Sequence, residues 1–90
     1  MSNNLKPIKE LENITIYKDF GAFGEGKWQK HLTLVSWFGK DPKYDIRAWN
    51  EDMTKFGKGI SLDSSDLYDL LVLVEEALGG EDSDSEESEE

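Results

Sequence analysis

"KYDIRAWNEDMTKFGKGISL", residues 43–62, sets a strand-like run, an arginine, a tryptophan and three lysines within twenty positions. The run from Lys43 to Trp49 alternates. Tyr44, Ile46 and Ala48 fall on one side of a strand, and Lys43, Asp45, Arg47 and Trp49 on the other. The first set suits packing against a helix. The second puts a cation beside an indole on the outer face of a sheet. "NEDMTKFGKG" reads as a mostly polar turn closed by Gly57 and Gly59, and "GISL" as a short strand.

Upstream, "NITIYKDF" alternates Ile14 and Ile16 with Thr15 and Tyr17, which is strand periodicity. "GAFGEGK" holds three glycines and reads as a loop or wide turn, without the spacing or following helix of a dinucleotide site. "WQKHLTLVSWF" is rich in β-branched and aromatic residues and predicts another strand. "GKDPK" is a turn set by Pro42. The first twelve residues are polar, contain Pro7 and predict a loosely ordered segment.

Downstream the period changes. Leu67, Leu70, Leu71, Val74 and Leu78 follow helical spacing, with Asp63 or Ser64 able to cap the start and Gly79-Gly80 closing the end. Leu73 and Ala77 widen the apolar stripe, and Val72 lies nearly opposite it. That is more apolar surface than one core face needs. Dimerisation through Leu70, Leu73, Val74 and Ala77 is the simplest way to cover it. The predicted fold is therefore α+β: four antiparallel strands, one C-terminal helix and a homodimer. The expected organisation is a flexible 1–12, a domain over 13–79 and a disordered acidic tail over 80–90.

Charge is split along the chain. Up to Lys58 there are ten bases and eight acids; from Gly59 onward there are twelve acids and no base, which together give the net −10. The acidic total therefore does not argue against a nucleic-acid partner for the first two thirds. The tail "EDSDSEESEE" has three readings: a solubilising extension, a weak polyanion competing for a basic groove, or a phosphorylation segment around Ser83. With no cysteine, disulfide and thiolate metal sites are excluded. His31 is the only histidine and reads as a plain strand residue rather than a ligand. Glu51 and Asp52 read as solvated turn acids. No nucleophile–base set is visible, and no enzyme, metal or cofactor is expected. "MSNNLKPIKELE" holds no apolar h-region, and no stretch approaches the roughly 20 apolar residues of a membrane span. It is read as soluble and cytoplasmic or nucleoid, nuclear in a eukaryote.

Two readings of the outer face compete: a solvated surface with Trp49 covering an edge, or a stacking platform. Alternation in the second strand sets Trp37 with His31, Thr33 and Val35, so Trp37 can stand beside Arg47 and Trp49. Trp28 and Lys30 join that surface only through a bulge or early bend. Indoles stack on unpaired bases at about 1–3 kcal/mol each while Lys and Arg neutralise phosphates.

"YDIRAWNEDMTKFGKGISLDSSDLYDLL", with the upstream "WQKHLTLVSWFGKDPKYDIRAW", resembles the transcriptional coactivator family called positive cofactor four and its small bacterial branch. The likeness covers roughly residues 28–75. It implies a curved four-stranded sheet plus helix, a homodimer, and single-stranded DNA held with little sequence preference. Carried over by position, it implies phosphate contacts for Arg47 and Lys58 and a base contact for Trp49. Phe38, Lys40 and Lys43 would lie in the contacting loop. Lys55, in the polar turn before "GKGISL", is counted with the candidate nucleic-acid-binding residues apart from the resemblance. Trp28 and Trp37 have no firm counterpart in eukaryotic members. The glycine-rich "GAFGEGK" and the C-terminal position of the acidic tail depart from the family. The expected function is non-catalytic binding of single-stranded DNA, with RNA left open, in transcription, replication or repair. The alternative is an adaptor whose indoles and tail recruit a polymerase or another partner.

Overall fold

The computed structural model describes residues 5–79, and in it five strands run in the order β1-β2-β3-β4-β5, each antiparallel to the next. β1 is Lys9–Glu10, β2 Ile14–Phe23, β3 Gln29–Trp37, β4 Lys43–Trp49 and β5 Phe56–Leu62; helix α1 is Ser64–Ala77. The α+β class and the C-terminal helix match the expectation, and β4 does so residue for residue. The strand count is five rather than four. The added strand lies in the segment predicted to be loose: Lys9 pairs with Ile16 and Glu10 with Thr15, and Ile8 N–H donates to the Ile16 carbonyl at 2.8 Å. The expectations for residues 1–4 and for the acidic tail lie outside the described residues.

β2 also runs farther than predicted, through "GAF". Register shifts between Ile16 and Lys18 and between Asp19 and Gly21 insert Tyr17 and Phe20 as single extra residues, after which pairing with β3 resumes. Gly21 has φ +144°, a value a side chain would resist, directly after the second shift. A third irregularity lies between Arg47 and Trp49 against β5. Bulges of this kind bend a strand and increase its local twist.

Register and alternation define two faces. Leu32, Leu34, Tyr44, Ile46, Ala48, Ile60 and Leu62 share the face that α1 approaches. Ile14, Ile16, Thr33, Val35, Trp37, Asp45, Arg47 and Trp49 share the other. The second face holds the buried core: Ile14, Ile16, Val35 and Trp49 are at most 2 % exposed, with Leu11, Trp37 and Met53 packed against them. Two short segments cover it, the turn before β2 and the β4–β5 loop. Burying an indole removes about 150–250 Å² from water, an upper bound of roughly 4–6 kcal/mol. That gain explains why Trp49 turns inward although the sequence pattern placed it on an open face.

Helix α1 starts at a complete capping box. The Asp63 carboxylate accepts from Asp66 N–H at 3.0 Å, and Asp66 Oδ2 accepts from Asp63 N–H at 3.3 Å. Hydrogen bonds from Asp66 N–H and then the Ser65 hydroxyl hold the Asp63 carboxyl below its usual 3.8. The helix itself is lightly seated. None of its residues is buried, and Tyr68, Leu71, Val72, Leu73 and Val74 are all exposed. An apolar cleft of about 450 Å³ opens between α1 and the sheet, lined among others by Leu32, Tyr44, Ile46, Leu67, Leu71 and Val74. Among the described residues, no helix is long and apolar enough to cross a membrane.

Candidate functional site

Alternation along β4 sends Asp45 and Arg47 to the core-bearing face, where they pair. Arg47 Nε donates to Asp45 Oδ1 at 2.9 Å and Nη2 donates to Oδ2 at 3.1 Å. Asp45 is 0 % exposed, and its Oδ2 also accepts from Ser61 Oγ at 2.9 Å across the β4–β5 register. Arg47 Nη1 donates to the Gly57 carbonyl at 3.1 Å. A carboxylate this deep needs such partners, since removing one member of a buried pair typically costs about 3–5 kcal/mol. Gly59 sits opposite Arg47, and a Cβ there would fall 2.6 Å from Arg47 Cβ and 2.7 Å from its Cα. Hence the second glycine of "GKGISL" is required by close backbone approach.

Around this pair runs a row of rings. The Arg47 guanidinium carbon lies 4.9 Å from the Trp37 ring centroid and 5.8 Å from that of Phe56. Trp37 and Phe56 meet edge-to-face at 5.3 Å, Phe56 and Trp49 at 5.2 Å, and Trp37 and Phe38 at 6.4 Å. The two ends of the row differ most: Phe38 is 68 % exposed and Trp49 fully buried, while between them Trp37 is half-buried and Phe56 is 39 % exposed. The indole N–H groups of Trp37 and Trp49 are buried without a hydrogen-bond partner among the described residues.

Phe38 is held in an unusual backbone state. Its φ is +53°, followed by Gly39 at +75°, in a turn closed by Lys40 N–H donating to the Trp37 carbonyl at 2.9 Å. Ser36 Oγ donates to the Lys40 carbonyl, and Phe38 N–H donates to the Asn13 carbonyl at 2.9 Å. A left-handed turn suits Asn or Gly, and a bulky residue there is strained by on the order of 1 kcal/mol or more. The only ring contact of Phe38 among the described residues is with Trp37, and most of its surface is open to solvent.

The structure brings some predicted residues together and separates others. Trp37, Phe38, Arg47 and Trp49 form one cluster, with Lys40, Lys43, Lys55 and Lys58 exposed on the segments that carry it. Trp28 and Lys30 do not join it. Trp28 lies over the opposite side, close to where a Cβ on Gly57 would touch both it and Ala48, and Lys30 pairs with Ala48. No bulge reverses the start of β3, so strict alternation prevails and the three tryptophans do not share a surface. Trp49 offers no open ring, and the Arg47 charge is already matched by Asp45. The causes differ: Leu11 and Met53 pack onto the cluster that holds Trp49, whereas Arg47 is taken up by its strand neighbour Asp45 and the Gly57 carbonyl.

Phe56 and Ser61 were not singled out from the sequence, and Asp45 and Gly59 were read only as an outer-face residue and a turn glycine. Phe56 fell within a stretch read as polar turn, because the β5 irregularity breaks alternation between it and Ile60. Its only signal is a lone aromatic at the boundary of "TKFGKG". His31, read as a plain strand residue, places Nδ1 3.0 Å from Asp19 Oδ2, its only side-chain partner among the described residues.

No family model matches the chain. It is similar to an uncharacterized protein of Treponema pallidum (strain Nichols), with 44% identity over 47 residues. The match spans 52% of this chain and 55% of that protein, about half the length of each.

Proposed function

We propose that the protein binds single-stranded nucleic acid, DNA in the first instance, without catalysis and with little sequence preference. The observation that carries this reading is the strained, exposed Phe38 at the head of a row that continues through Trp37 and Phe56. Rings so placed stack on unpaired bases, at about 1–3 kcal/mol per base. Lys40, Lys43, Lys55 and Lys58 flank the row and supply phosphate contacts, despite a chain total of −10. The motif resemblance to the positive cofactor four family points the same way and supports a role in transcription, replication or repair.

The active form is a homodimer in this reading. The exposed Leu71, Leu73 and Val74 of α1, with the apolar cleft beside them, are too much unpartnered apolar surface for a free monomer. A second copy covers them, with the Leu70, Leu73, Val74 and Ala77 stripe at the contact.

Titration of labelled oligo-dT and of duplex of equal length, followed by anisotropy over a range of salt, tests the reading. The single strand should bind more tightly, with log K falling by about 0.7 per contacted phosphate for each decade of salt. Equal or absent binding of the two would refute it and favour an adaptor that meets a protein through the same rings.

A further inference from the structure

We infer that Arg47 is a positioning residue that fixes the stacking rings and makes no phosphate contact. The inference rests on the nucleic-acid reading for its ligand but on geometry for its content. Three guanidinium nitrogens are engaged: Nε and Nη2 on Asp45, Nη1 on the Gly57 carbonyl. Its countercharge is a wholly buried carboxylate that Ser61 also holds, and the arginine side chain is only 15 % exposed. A phosphate would have to compete with that carboxylate for a cation it can scarcely reach. The planar guanidinium lies instead against Trp37 and Phe56 and sets their edge-to-face spacing. Lys40, Lys43, Lys55 and Lys58 have no carboxylate within ion-pair distance among the described residues, so the salt-sensitive contacts fall to them.

Arg47→Lys separates the two roles, because it keeps the cation and loses the planar fork. The measurements are oligo-dT anisotropy against salt and, without DNA, near-ultraviolet circular dichroism of the tryptophans. Arg47→Lys should weaken binding about fivefold or more, the equivalent of one misplaced stacking contact, with the salt slope unchanged and the tryptophan bands altered. Lys43→Gln should do the reverse, lowering the slope by about 0.7 and leaving the bands intact. Should Arg47→Lys fail to fold, Asp45→Asn with Arg47→Gln removes both charges together, and the same loss at constant slope is expected. Wild-type affinity in Arg47→Lys, or a slope reduced by about 0.7 in the double variant, overturns the inference. If the wild type does not bind oligo-dT, the nucleic-acid reading fails. The positioning role is then judged on the tryptophan bands alone, and unaltered bands overturn it.

Discussion

Lys9 reaches across 43 residues of sequence to Asp52, its ammonium donating to the Asp52 backbone carbonyl at 2.8 Å. The contact ties the segment before β2 to the β4–β5 loop, which bring Leu11 and Met53 onto the core around Trp49. Lys9→Met should therefore raise the access of acrylamide to the buried indole. Its effect on stability should be small, because the bond is solvent-exposed. Quenching identical to wild type would show that the cover holds without it.

Gly57 and Gly59 look alike in "GKGISL" but sit in different surroundings. A Cβ at Gly57 meets Ala48 and Trp28 at ordinary contact distances of 3.8 and 3.9 Å, whereas one at Gly59 runs into the Arg47 backbone and the Ile46 carbonyl. Gly59→Ala should cost about 1–3 kcal/mol in urea unfolding, the usual penalty for overpacking, and Gly57→Ala much less. Equal costs would mean that β5 shifts away to admit the methyl.

Phe38→Asn should separate stability from binding. Asn tolerates the left-handed turn, so relief of strain should raise stability by about 0.5–1 kcal/mol. Loss of the exposed ring should weaken oligo-dT binding by about 1–3 kcal/mol. A variant that is less stable than wild type would indicate that the ring packs against the fold rather than serving a ligand.

The helix cap makes α1 sensitive to acid. With its carboxyl held below the usual 3.8 by hydrogen bonds in the folded state, Asp63 lends stability in full above that value. The contribution is lost as pH falls through the lower folded value. Helical ellipticity should therefore decline as pH is lowered from about 5 to 2, and Asp63→Asn, a neutral cap, should flatten that part of the curve. An unchanged curve would assign the transition to other carboxylates.

For the helix face, Leu73→Glu should leave a monomer in sedimentation if two copies meet there. A wild type that already sediments as a monomer at micromolar concentration would refute the pairing.

Much of the architecture was legible because strong local patterns coincide with regular structure. β4 alternates cleanly, and α1 carries both its period and its cap. β1 escaped because two residues carry no period, and β2 was cut short because its inserted residues interrupt alternation near Gly21. At the site, the pattern placed Trp37, Arg47 and Trp49 on one face but could not say what closes over it. That depends on Leu11 and Met53, which are distant in sequence and lie in segments without periodicity. Asp45 gave no warning either, since an acid on an outer face normally reads as solvated; its burial becomes intelligible only once Arg47 and Ser61 are seen around it.

The meander has a kinetic consequence. Each strand hydrogen-bonds to its sequence neighbour, so the chain can zip up hairpin by hairpin with short loop closures and no crossover to wait for. The exception is the latch from Lys9 to the β4–β5 loop across the indole, which spans 43 residues of chain and should order late on the way to the native state.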